Sequence, residues 1–218
     1  MCLTDKADKA LENNAYSVEV RVKYDSDDEE MLDAIKSFSN PSMRIYVDGD
    51  KFRGTMDLKH NGVKNYITYT FVDGVLYTEF NENGNTVQNK QTMGDSDKAA
   101  LKESFGAGAN VGTEDFENLS VQSLGKVSVI RCDTIKDDAL IALVNSLKAE
   151  FAAAKLTADV ALKNATLDIE IDGGKYNVVI LTCEYYIITP VDSYSIKMTH
   201  SSKFTYDDDF EIVAPAFD

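Results

Sequence analysis

From Asn65 to Phe80 the chain alternates apolar and polar residues in two runs that flank Asp73-Gly74. Alternation with period two predicts strands with one buried face, and Asp-Gly between two such runs predicts a tight β-hairpin. A two-residue turn pairs Val72 with Val75, Phe71 with Leu76, Tyr69 with Thr78 and Ile67 with Phe80. One face then carries Ile67, Tyr69, Phe71, Leu76, Thr78 and Phe80, mostly apolar. The other carries Tyr66, Thr68, Thr70, Tyr77 and Glu79. The corner recurs as Val47-Asp48-Gly49-Asp50-Lys51-Phe52 and as Ile171-Asp172-Gly173-Gly174-Lys175-Tyr176. Three corners of one design predict a large antiparallel sheet with one wet and one covered face.

The rest of the pattern fills in around that sheet. Thr4 to Asn14 predicts a short helix with Ala7, Ala10 and Leu11 on one side. Tyr16 to Tyr24 alternates without a break and predicts a strand. Asp25 to Glu30 predicts a solvated loop; its alternate acids resemble a calcium loop, but Glu30 and Lys36 stand where glycine and a bidentate glutamate are needed. Met31 to Phe38 adds a helical turn that ends at Asn40-Pro41. In the second hairpin Met43, Ile45 and Val47 share a face with Phe52, Met56 and Leu58, whichever loop length holds. Thr86 to Gln91 predicts a polar edge strand, and Ser96 to Phe105 a helix. The glycines of Gly106 to Gly112 follow that helix rather than a strand, so they predict a connector and not a phosphate cradle.

Asn118 to Leu124 and Val127 to Cys132 predict two more strands, and Thr134 with Asp137 a capping-box-like helix start. Leu140, Leu143, Val144, Leu147 and Phe151 then recur at helical spacing. The natural partner of this stripe is the apolar sheet face, where each large side chain buried contributes roughly 1.5–3 kcal/mol. In the last third Ala165, Leu167, Ile169 and Ile171 are expected opposite Thr182, Ile180, Val178 and Tyr176. Cys183 to Thr189, Tyr194 to His200 and Phe204 to Tyr206 predict further strands. No linker or low-complexity stretch intervenes, which predicts one α+β domain over residues 1–218, with residues 1–14 as tether and short helix and 207–218 as an extended tail.

Charge narrows the chemistry. With 37 acidic against 22 basic residues the net charge is −15, a field that repels nucleic acid and anionic lipid headgroups. Any membrane attachment is therefore expected through a lipid anchor alone. No apolar run is long enough to span a bilayer, and no apolar h-region follows Met1. His60 and His200 have no carboxylate or cysteine at a motif spacing, and no metal, cofactor or nucleophile motif occurs, so neither a metal, a cofactor nor a catalytic residue is assigned. Cys132 and Cys183 lie in apolar strand patterns and are expected as buried thiols; an oxidising compartment would also permit a disulfide. Eleven Tyr and ten Phe are concentrated in strands, which leaves a filled core and an apolar cavity both open. Cys2 is the candidate lipid anchor, since a mature bacterial lipoprotein sequence behind a start codon reads Met-Cys.

Cys2 before a short helix, Tyr16-Ser17-Val18-Glu19-Val20 as first strand, the repeated V/I-D-G-x-x-F/Y corners, two lid-like helices and the ending Phe210 to Pro215 together resemble bacterial cell-envelope lipoproteins of the LolA/LolB/LppX type. That resemblance is architectural and covers nearly the whole chain. It implies a half-open antiparallel barrel, a large curved sheet whose concave face is covered by two or three helices. It also implies an extracytoplasmic, membrane-anchored, non-enzymatic protein that binds or carries a lipid or acyl ligand between sheet and helices. The apolar face nominates Ile45, Phe52, Met56, Ile67, Tyr69, Phe71, Leu76, Phe80, Leu143 and Leu147 as ligand-binding residues of a monomer. The alternative is an acidic interaction or scaffold domain with a filled core, whose partner is another envelope protein.

Overall fold

The computed structural model describes residues 3–38, 42–60, 63–82, 84–94, 112–153, 158–206 and 209–217. Within them the chain forms helices α1 (Leu3–Asn13), α2 (Glu29–Phe38) and α3 (Asp137–Ala153). The first six strands are β1 (Tyr16–Ser26), β2 (Ser42–Asp48), β3 (Lys51–His60), β4 (Val63–Val72), β5 (Val75–Glu82) and β6 (Asn85–Thr92). The other five are β7 (Leu119–Leu124), β8 (Val127–Cys132), β9 (Asp159–Asp172), β10 (Lys175–Ile188) and β11 (Ser193–Thr205). All eleven belong to one antiparallel sheet that does not close, in the order β6-β5-β4-β3-β2-β1-β11-β10-β9-β8-β7. Two meanders, β1 to β6 and β7 to β11, are thus joined at the middle by pairing of the first strand with the last. The helices lie on the concave face of this curved α+β sheet.

The first hairpin has the predicted register, with Val72 opposite Val75, Phe71 opposite Leu76, Tyr69 opposite Thr78 and Ile67 opposite Phe80. Asp73 and Gly74 both have positive φ (51° and 79°), the backbone that a type I′ turn demands. At the second corner Val47 faces Phe52 and Asp48 faces Lys51, so the loop is Gly49-Asp50 and the apolar side is the expected one. The third corner, Gly173-Gly174, has Asp172 opposite Lys175.

Beyond that third corner the register differs from the sequence expectation. Asn177 is an extra residue between the Tyr176 and Val178 pairings, so Ile169 faces Val179, Leu167 faces Leu181 and Ala165 faces Cys183. A one-residue bulge moves every following side chain to the other face. Val179, Leu181, Cys183, Tyr185 and Ile187 therefore point inward, and the last four are 0–3% exposed. The Asn177 amide donates to the Glu170 carboxylate across the bulge. A second irregularity lies between Glu184 and Tyr185, where Lys163 is the extra residue on β9 and its ammonium sits 3.4 Å from Glu184. Runs expected as separate strands are also continuous, since β10 reaches Ile188 and β11 spans Ser193 to Thr205.

Capping departs from expectation twice. The stretch predicted as a loop before α2 supplies its cap, as Asp28 Oδ1 accepts from the Met31 amide at 2.7 Å. Thr134 does not cap α3; its hydroxyl accepts from the Asn118 side chain, and Lys136 O accepts from the Leu140 amide instead. The predicted helix Ser96–Phe105, Cys2, and Gly106 to Val111 of the expected connector lie outside the described residues.

The main core lies between the helices and strands β8 to β11. It includes Ala7 of α1, Ile35 of α2 and Leu147 of α3 against Ile130, Leu167, Leu181, Tyr185 and Ile196, with Leu140 and Leu143 packed on it. On the opposite face residues Phe210 to Phe217 form a strap across β2 to β5. The Phe210 ring meets Tyr46 edge-on at 5.1 Å, Phe217 meets Tyr77 at 5.4 Å, and Ile212 is 3% exposed.

Candidate functional site

Alternation in β9, β10 and β11 aims Leu167, Ile169, Val179 and Phe204 at α1, and the Asn177 bulge brings Val179 into that set. Ala7 anchors the helix on the sheet without exposure. Between them lies a cavity of about 290 Å³ with these four residues as its floor and Leu11 and Tyr176 at its sides. Leu167, Ile169 and Phe204 are buried, whereas Asp8 and Glu114, which also line the space, are exposed and form its rim. The volume is at the low end of small-molecule sites, roughly 300–1,000 Å³.

The rim is tied to the sheet by one hydrogen bond, in which the Tyr176 hydroxyl donates to Asp8 Oδ1 at 2.7 Å. Burial and then that bond hold the Tyr176 phenol above its ordinary range, so it stays a donor. Behind it Tyr16, Phe204 and Tyr206 pack with ring centroids 5.6–6.3 Å apart in a chain that includes Tyr176. Burial pushes the Tyr206 phenol up to about 12, and Lys175 Nζ lies 4.8 Å from the centre of its ring. The site thus offers apolar contact, one fixed phenol and two carboxylates.

The nominated residues divide into two groups. Ile45, Phe52 and Phe71 are buried on the concave face, and the Phe52 and Phe71 rings stack at 5.4 Å. Met56, Ile67, Tyr69, Leu76 and Phe80 are half-buried beside them. Leu143 and Leu147 share that face but pack in the β8–β11 core, with α3 over β9, six strands from β4 in sheet order. The α3 stripe therefore does not roof the hairpin, and the ten residues are one face rather than one pocket. The floor residues and Asp8 were missed because their signal is tertiary: α1 shows an apolar side, but nothing in its sequence says that β10 lies beneath it.

Cys132, Cys183 and both histidines sit in strands of the sheet. Cys132 and Cys183 are free, fully buried thiols on β8 and β10 with β9 between them. Burial pushes the Cys183 thiol up to about 12, far from the thiolate a nucleophile needs. His200 lies on the concave face between Val22 and Leu181, and burial lowers its pKa. His60 closes β3. Among the described residues no group of three metal-ligating side chains comes together, and no helix is long and apolar enough to cross a membrane.

Neither a family model nor a curated protein matches the chain. Among solved structures it is similar to the ywiB protein of Bacillus subtilis, at 6% identity and a TM-score of 0.21, over 87% of this chain and 91% of that one. It is also similar to a tesB protein of Mycobacterium avium subs paratuberculosis, at 11% identity and a TM-score of 0.17, over 93% and 83%. MucB in complex with MucA(peri) gives 8% identity and a TM-score of 0.15, over 93% of both chains. Superposition this loose assigns no function.

Proposed function

We propose that this chain is a non-enzymatic, extracytoplasmic binding protein that holds the apolar part of a lipid-like ligand between α1 and the sheet. The supporting observation is the 290 Å³ cavity with its floor of Leu167, Ile169, Val179 and Phe204. A hydrocarbon segment placed there gains roughly 0.8 kcal/mol per buried methylene. Asp8 and Glu114 at the rim select the head, since a free carboxylate would meet two like charges and a neutral or cationic head would not. In this reading Cys2 carries the acyl anchor immediately before α1, and the protein works as a monomer close to the membrane.

The test is titration of the purified protein with decanol, decylamine and decanoate by calorimetry, beside Val179→Phe, which fills the cavity. Decanol and decylamine should bind, decanoate about tenfold more weakly (~1.4 kcal/mol), and the variant should bind none of them. Failure of all three to bind, or undiminished binding by Val179→Phe, would reject the reading.

One observation favours the alternative of an interaction domain of the envelope. Strand β7 is a sheet edge that leaves Leu119 and Val121 half exposed (51% and 50%), a surface on which an extended segment of another envelope protein could add as a further strand. Val121→Lys distinguishes the two readings. It leaves decanol affinity unchanged if the cavity is the working site, and it abolishes in-cell crosslinking to the partner if the edge is.

A further inference from the structure

The chain has four arginines, and three of them, Arg21, Arg44 and Arg53, lie on neighbouring strands β1, β2 and β3 of the face opposite the helices. In a protein of net charge −15 this is a local concentration of guanidiniums, with Glu19 among them. The strap turns it into a cleft. Beneath Asp209 to Ile212 a space of about 830 Å³ is bounded by Arg44, Tyr46, Arg53 and Thr55 of the sheet.

The three guanidiniums are not equivalent. Arg21 is engaged by Glu19, whose Oε1 accepts from Nε at 3.1 Å and from Nη2 at 2.7 Å. Arg44 stands 4.0 Å from the same carboxylate. Arg53 makes no ion pair with any described residue, although it lies in the cleft. Because Tyr46 faces Arg53 and Arg44 faces Thr55, Arg44 and Arg53 are diagonal neighbours, with Cα atoms about 7–8 Å apart. Two forked donors at that spacing can converge on one oxyanion. Thr55, opposite Arg44, also lines the space, and the edge-on Tyr46–Phe210 pair with buried Ile212 supplies an apolar wall at one side.

We infer that this cleft binds a small organic oxyanion, a carboxylate or phosphate held by Arg53 and Arg44 with its apolar body against Tyr46, Phe210 and Ile212. Glu19, Asp57, Asp209 and Glu211 also line the space, and they set the size of the ligand. A polyanion would meet all four, whereas a single oxyanion at Arg53 is held by the arginine pair. The site is on the opposite face of the sheet from the cavity under α1 and does not depend on it.

The experiment is titration with phenyl phosphate and with benzoate, followed through the Arg53 side-chain Nε–Hε signal and by calorimetry, for the native chain, Arg53→Gln, Arg53→Lys and the distant Arg131→Gln. Saturable binding of at least one probe should weaken about tenfold in Arg53→Gln, weaken less in Arg53→Lys, and remain unchanged in Arg131→Gln. The stronger probe identifies the oxyanion. Should neither probe saturate by about 10 mM, or should Arg53→Gln bind as the native chain does, the inference is overturned. Arg53 is on the sheet surface, and the lysine variant, which keeps the charge and loses the planar fork, separates loss of recognition from loss of fold.

Discussion

Ser202 is the most deeply buried polar side chain among the described residues, at 0% exposure, and its hydroxyl has no hydrogen-bond partner among them. It sits on β11 between Val20 and Val179, so it contributes desolvation cost without a compensating bond. We expect Ser202→Ala to stabilise the fold by about 1 kcal/mol in urea unfolding, the reverse of the usual sign for a core truncation. A destabilised variant would show that the hydroxyl has a partner in solution. His200, two residues earlier, carries a pH dependence. Burial lowers its folded pKa below the ordinary 6.5, so the unfolded chain binds the proton more readily. Its stabilising contribution is complete above about pH 6.5 and is lost as pH falls through the lower folded value. Over that window stability should fall less steeply in His200→Leu than in the native chain, and parallel slopes would exclude the effect. Neither residue was distinguishable by sequence, because alternation gives a side chain's face and not what stands opposite it.

At the scale of elements the bulge at Asn177 matters most. Alternation identified β9 and β10 and their shared corner, but a pattern of period two contains no information about where one strand gains a residue. Tyr176 to Ile188 is apolar on both sides over much of its length, so the sequence tolerates either register. The contacts of the concave face decide it, with Leu181 at 2% exposure and Ile180 on the opposite side. Leu181→Ala should therefore cost about 2–5 kcal/mol in chemical denaturation, and Ile180→Ala markedly less. Equal losses would mean that the register is the uninterrupted one. Helix α3 makes a related point. Its stripe was legible at Leu140, Leu143 and Leu147, yet its place over β9 was not, because any apolar sheet face satisfies such a stripe equally well.

For the whole molecule the decisive contact joins β1 to β11, since it merges two local meanders into one sheet and sets the terminal segments on opposite faces. Helix α1 lies on the concave face and the strap crosses the other, which is why one chain has a separate space on each face. The strap has no strand pairing and is held by side chains, through Tyr46–Phe210, Tyr77–Phe217 and buried Ile212. Each aromatic pair contributes about 0.5–1.5 kcal/mol beyond its buried area. Phe210→Ala with Phe217→Ala should accordingly expose the strap to limited proteolysis while the thermal midpoint of the sheet shifts by no more than a few degrees. Unchanged protease resistance in the double variant would locate its anchorage elsewhere.

The sequence by itself determined where the strand runs lie, the first hairpin with its turn, the polar edge of β6 and the apolar stripes of α1 and α3, because each depends on neighbours within a few residues and is encoded by period and turn chemistry. The tertiary structure alone decided that the first and last strands pair, that α1 lies over β10 with Asp8 at a cavity rim, and that Arg44, Arg53 and Phe210 share a cleft. Those juxtapositions are set by which apolar faces meet when the whole chain competes to leave water, and that competition is non-directional and leaves no local signature.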